Sequence, residues 1–227
     1  QFQRFRIRPL KKQEAYTLLT KYAENNLSKT LIAKLEQPEN SAIHEFLTNP
    51  LLTSLLYKSF EYKHTIPLKR HIFYRQVFEA LYEQHDLTKE GGEYQRKKKS
   101  GMDIDKFDRM LRSLGILSYQ KDKIEFAKDE LLTFIDQAKE LAAETEATSS
   151  NVLHDLTHAV PLMVEEGNYI RWTHKSIQEY FAAQYICRDT GGKQKEILHR
   201  YLHSQDFSKH VNLITLCADI DRTSFRH

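Results

Sequence analysis

The sequence is short of the residues that turn a chain sharply. Seven glycines and five prolines in 227 residues are too few for the many tight turns of a β-sandwich or barrel. Leu, Ala, Lys, Glu and Gln, which favour helix, are frequent, so a mostly α chain is expected. Only Cys187 and Cys217 are present, each within an apolar helical stretch. That excludes a disulfide framework and leaves two buried free thiols, with no redox chemistry suggested. No apolar run approaches the roughly 18 residues that span a bilayer, so no membrane association is expected. One sign of charge does not dominate either: 34 basic and 31 acidic residues leave +3, against a surface given wholly to nucleic acid. The opening Gln1-Phe2-Gln3-Arg4-Phe5-Arg6 lacks the apolar stretch of a secretory signal and starts as though cut from a longer chain, which points to a cytoplasmic setting. Finally, no G-x-x-x-x-G-K-[ST] phosphate loop is present, so no catalytic residue is expected in this chain.

What is there is mainly helical periodicity. Phe2 to Arg8 alternates as a half-buried strand that Pro9 ends. Ala15, Leu18, Leu19 and Tyr22 then share one helical face, and a second short helix runs through Leu27, Leu31 and Leu35. Asn40 to Leu47 reads as a third, and Asn49-Pro50 opens a fourth carrying Leu52, Leu55, Leu56 and Phe60, with Pro50 in the first turn where its missing N–H costs nothing. Polar residues and Pro67 between Lys63 and Leu68 suggest a module boundary. Phe73, Val77, Ala80 and Leu81 mark a long helix, followed by a loop from Leu87 to Gly101 with Gly91-Gly92 and the basic run Arg96-Lys97-Lys98-Lys99. Ile104, Phe107, Leu111 and Leu114 repeat the helical spacing, with Gly115 placed as a left-handed C-terminal cap. Ile124 and Phe126 suggest a short strand, and Leu131, Ile135, Ala138 and Ala142 another helix, ending in a linker from Ala143 to Ser150. Asn151 is the expected cap of a helix through Val152, Leu156 and Val160 that Pro161 stops. A hairpin follows, Leu162–Val164 and Tyr169–Trp172 around Glu165-Glu166-Gly167-Asn168, and Thr173 is the expected cap of a helix to about Arg188. After Gly191-Gly192, Ile197–Leu202 and Phe207–Ile220 read as two more helices. Between about Arg70 and Trp172 the order is helix, helix, strand, helix, helix, hairpin, that of an elaborated winged helix with the hairpin as wing.

Particular residues carry a resemblance. Trp172-Thr173-His174-Lys175-Ser176-Ile177-Gln178-Glu179-Tyr180-Phe181-Ala182-Ala183 is similar to the F-x-H-x-S-x-Q-E-Y-F-A-A segment that closes the winged helix of NACHT-family NTPases, which are STAND-class signalling ATPases. Phe46-Leu47-Thr48-Asn49-Pro50-Leu51-Leu52 resembles the N-P-L-L-L opening of a helix in that family's first helical domain, and Phe5 to Leu19 resembles its last core strand and the lead into that domain. The resemblance implies a division into the trailing core strand (1–9), first helical domain (10–67), winged helix (68–188) and the start of a further helical domain (189–227). It implies ADP or ATP with Mg²⁺ as cofactor of the intact protein, held between a P-loop core upstream and these modules. The core would be the first partner, and exchange of ADP for ATP would release the winged helix and permit homo-oligomerisation in innate-immune or anti-phage signalling. Two site residues follow: Pro50 against the adenine, and His174 donating to the β-phosphate. This segment alone is expected to bind nucleotide weakly or not at all.

The chemistry expected of His174 has a basis of its own. A helix start offers free N–H groups and partial positive charge, and an imidazole N–H beside it adds a donor aimed at an anion. The plainer alternative is that His174 caps its helix and packs beside Trp172, and Pro50 alone reads as an ordinary helix-opening proline. Gln178, Glu179, Tyr180 and Phe181 read as packing and internal hydrogen bonding. Three other functions compete. A DNA-reading winged helix would use the stretch Asn151–Val160, which carries Asp155, His154 and His158 but no Lys or Arg, so nucleic acid is not the expected partner. His154 and His158 have the i, i+4 spacing of two metal ligands, but Asp155 stands where the zincin pattern has Glu and no third ligand is identifiable. A helical protein-interaction scaffold remains open. Val211 to Asp219 superficially resembles an apolar strand ending in a Mg²⁺-binding acid, but fits a helix equally well and is rejected as a metal site.

Overall fold

The computed structural model describes residues 8–22, 26–67, 69–84 and 98–222. All of the strand expected over Phe2–Arg8 except Arg8, and most of the Leu87–Gly101 loop, including Gly91-Gly92 and Arg96-Lys97, lie outside them. The fold is mostly helical, with one small antiparallel sheet among the described residues. No described helix is long and apolar enough to cross a membrane.

The chain divides into two compact units, Gln1–Ala80 and Leu81–His227. In the first, helix α1 (Lys12–Thr20) buries Ala15, Tyr16 and Leu19. Glu14 accepts from the Lys11 backbone N–H at 2.8 Å, which satisfies one open donor of the first turn. Tyr22 falls beyond the helix end and is exposed, with its ring stacked 5.3 Å from Tyr57. Helix α2 (Asn26–Leu35) buries Leu31 and Leu35. The stretch from Pro38 to Thr48, read from the sequence as a third short helix, is a 3₁₀ helix. It buries Ile43, Phe46 and Leu47.

Helix α3 (Pro50–Lys63) starts as the sequence indicates. Asn49 is the N-cap, its Oδ1 accepting from the N–H groups of Leu51 at 2.9 Å and Leu52 at 3.3 Å, with Pro50 in the first helical position. Helix α4 (Arg70–Gln84) follows. The expected module boundary between Lys63 and Leu68 is not where the two units part. They part between Ala80 and Leu81, inside α4. The first part of α4 is committed to the first unit: Phe73 stacks 4.1 Å from Phe46, Ser59 donates to Gln76 at 3.0 Å, and Lys63 pairs with Glu79 at 3.2 Å.

The second unit is built from α5 (Ile104–Gln120), β1 (Glu125–Ala127), α6 (Lys128–Ala142), α7 (Ser149–His154), β2 (Met163–Glu166), β3 (Tyr169–Trp172), α8 (Lys175–Arg188), α9 (Gln194–Leu202) and α10 (Phe207–Ile220). Strand β3 lies between β1 and β2, antiparallel to both. Helix, strand, helix, helix and hairpin, with the first strand added to the hairpin's return strand, is a winged-helix arrangement. The wing turns through Gly167-Asn168, where only Gly167 takes a positive φ, +62°. Thr148, not Asn151, caps α7, its hydroxyl accepting from the Asn151 N–H at 3.3 Å, and from Asp155 to Ala159 the helix loosens into a π turn. The segment from Gly191 onward does not separate from this unit, because Leu213, Leu216 and Cys217 of α10 are buried in its packing against α8.

Gly115 is not a helix cap. It sits inside α5, where that helix meets α8, and a Cβ there would lie 2.8 Å from Phe181 Cβ and 2.9 Å from the backbone nitrogen of Ala182. The glycine is needed for close approach. Replacing it by Ala should therefore destabilise the chain by about 1–3 kcal/mol, because the steric cost of moving a helix backbone exceeds the roughly 1 kcal/mol that Ala gains in helix propensity. Urea denaturation of Gly115→Ala measures this, and a gain in stability would show that α5 and α8 do not meet at this separation.

Candidate functional site at the start of helix α8

Trp172, the last residue of the wing, is fully buried, and two residues later His174 begins α8. Thr173, expected as the cap, instead turns back to the hairpin: its N–H and its hydroxyl both donate to the Leu162 carbonyl, at 3.0 Å each. His174 is the cap. Its backbone is extended, at φ −153° and ψ 142°, and its Nδ1 accepts from the Ser176 N–H at 3.2 Å, with the Ser176 hydroxyl 2.6 Å away. An Nδ1 that accepts a backbone N–H carries no proton, so the neutral ring bears its hydrogen on Nε2. Burial holds the imidazole below its usual pKa, and the nearby Arg171 guanidinium lowers it further. The result is a half-buried, neutral imidazole whose one N–H is on the ring edge remote from the cap.

The rest of the motif is core. Ten of the fourteen residues of α8 are buried, as expected of a helix packed on more than one face. Gln178 donates from Nε2 to Ser118 Oγ at 2.9 Å and to the Lys123 carbonyl at 2.6 Å, tying α8 to the end of α5. Glu179 is buried and accepts from Asn212 at 2.5 Å, with Lys175 at 3.6 Å. Burial raises its carboxyl pKa, against the pull of Asn212 and Lys175. Pro50, the other expected contact, is exposed at the first position of α3 in the first unit.

The competing motifs are also placed. His154 and His158 stack face to face, with centroids 4.7 Å apart and planes inclined by 8°, and no group of three or more potential metal ligands occurs among the described residues. Sequence reasoning missed what Asp155 does. It is fully buried, and its two carboxylate oxygens accept the backbone N–H groups of Lys99 at 2.8 Å and Ser100 at 2.9 Å. Lys98, from the basic run, lies over the Tyr82 ring at 3.9 Å. Nothing local distinguishes Asp155 from a surface acid, because its partners are more than fifty residues away in sequence. Val211 to Asp219 is helical, within α10. An open cleft of about 250 Å³ beside Lys175 contains Tyr119, Tyr201 and His210, with Tyr119 Oη 2.6 Å from His210 Nδ1. Its charges already face opposite charges, Lys209 with Asp206 at 3.1 Å and Lys175 with Glu179 at 3.6 Å, so it favours no one ligand charge.

No family model matches the chain, and no curated protein matches it.

The cap makes two outcomes measurable. Removing the acceptor in His174→Ala should cost about 1 kcal/mol, whereas His174→Ser, which keeps an oxygen for the Ser176 N–H, should stay close to wild type. Because the folded-state pKa of His174 is depressed, the folded chain binds fewer protons than the unfolded one just below pH 6.5. Its contribution is therefore present above that pH and lost as pH falls through the folded value. The stability difference between wild type and His174→Ser, followed by urea titration from about pH 7.5 to 5, should shift against wild type as pH falls; a difference independent of pH would mean that the ring does not cap as a neutral acceptor.

Proposed function

We propose that the chain is the regulatory part of a NACHT-type, STAND-class signalling ATPase: a helical and winged-helix segment that senses the bound nucleotide and gates assembly. The observation that carries this reading is the placement of His174, which follows the wing within two residues and caps α8 through Nδ1, the arrangement that leaves the ring hydrogen to Nε2. A neutral N–H donor fixed at the positive end of a helix suits a diphosphate oxygen. Pro50, exposed at the start of α3, would lie against the adenine. ADP, with the Mg²⁺ of the ATP-bound form, would be held chiefly by a P-loop core on the same protein, and when bound supplies the phosphate charge to which His174 responds. Loss of that contact would free the winged module and allow homo-oligomerisation. A contact conditional on the nucleotide is what couples phosphate occupancy to the position of a module.

Two variants separate capping from nucleotide sensing. In the protein that joins this segment to its P-loop core, His174→Ser preserves the α8 cap but has no ring N–H, so ADP affinity should fall by about 10- to 100-fold, the worth of one hydrogen bond to a charged group. Isothermal titration with ADP measures it, alongside the 227-residue chain alone, which should show little binding. Unchanged ADP affinity in His174→Ser would remove the residue from nucleotide sensing.

A further inference from the structure

We propose that Cys187 and Cys217 form a site of reversible oxidative modification, in which a peroxide joins the two thiols into a disulfide that staples α8 to α10. The two residues are thirty positions apart in sequence, but each sulfur reaches the other's helix. Cys187 Sγ lies 3.8 Å from the carbonyl oxygen of Cys217, and Cys217 Sγ lies 3.9 Å from the carbonyl oxygen of Ala183, one turn before Cys187. Gln194 Nε2 approaches the Cys187 sulfur at 3.5 Å. Both sulfurs are free thiols in this structure.

Exposure sets the order of events. Cys187 is part-exposed and Cys217 is fully buried. The neighbouring thiol and burial push the Cys217 pKa up, and the part-exposed Cys187 is the thiol an oxidant reaches first. Its sulfur attacks one peroxide oxygen, giving a sulfenic acid and one molecule of water from hydrogen peroxide. Cys217 then attacks the Cys187 sulfur, the S–S bond forms as the S–OH bond breaks, and the hydroxyl leaves with the Cys217 proton as a second water. Two electrons pass from the thiol pair to the peroxide. The product links the core helix α8 to the last described helix, and a thiol reductant returns both cysteines to their starting state. A disulfide that forms only on oxidation accords with a chain whose other elements rely on no cross-link.

The experiment exposes the native 227-residue chain to hydrogen peroxide, followed by intact mass and non-reducing peptide mapping. The expected result is a monomer lighter by about 2 Da, a peptide linking Cys187 to Cys217, and a melting temperature raised by roughly 5–10 °C and reversed by dithiothreitol. In Cys217→Ala the chain should gain about 16 or 32 Da at Cys187, the sulfenic or sulfinic acid of a thiol with no resolving partner. Wild-type chain that gains oxygen without cross-linking, that links between two molecules, or that keeps both thiols under the same treatment would overturn the proposal.

Discussion

The second unit depends on the burial of α8. A helix covered on most of its faces must satisfy its backbone without water, and its first-turn N–H groups are the ones left open. His174 supplies an acceptor for one of them through Nδ1, and that bond dictates the rest of the ring's chemistry: Nδ1 cannot hold a proton, so Nε2 must. The same helix makes its closest approach at Gly115, where α5 comes within Cβ distance of the Phe181–Ala182 backbone, and Gln178 bonds Ser118 and the Lys123 carbonyl beyond. Packing fixes where α8 lies, and the cap fixes the protonation state of the imidazole at its start.

The wing is coupled to that helix by very short chain. Trp172 ends β3 fully buried, Thr173 is bonded twice to the Leu162 carbonyl, and His174 is already the cap. A displacement of the hairpin therefore cannot leave His174 in place, and a pull on His174 is passed to the wing within two residues. That short linkage is what a nucleotide sensor would use. For the proposed switch, the ring would serve in two ways, with Nδ1 as the helix's acceptor and Nε2 as the donor.

Much of the fold is legible in the sequence where one local rule acts. Asn49-Pro50 announces α3 because a capping side chain and a fixed φ are adjacent, and the hairpin is visible from alternation broken by Gly167-Asn168. Local rules fail where a distant partner decides. Gly115 resembles a helix stop, since a glycine required for a left-handed φ and one required for close packing look the same until α8 is placed beside it. Thr173 and His174 are both able to cap, and the Leu162 carbonyl settles the choice by taking Thr173. The break at Lys63–Leu68 reads as a boundary, but Phe46 and Ser59 hold the first part of α4 in the first unit. For the candidate site, the sequence marks His174 only through a resemblance, whereas its capping of α8 depends on a hydrogen bond that only coordinates reveal.

The central claim is that His174 is a neutral cap with its hydrogen on Nε2. Long-range ¹H–¹⁵N correlation spectra of the ¹⁵N-labelled chain at about pH 7.5 test it directly, because the two ring nitrogens report protonation separately. The account requires an unprotonated Nδ1 and a protonated Nε2 for His174. A ring protonated on Nδ1, whether as the other tautomer or as imidazolium, would contradict it.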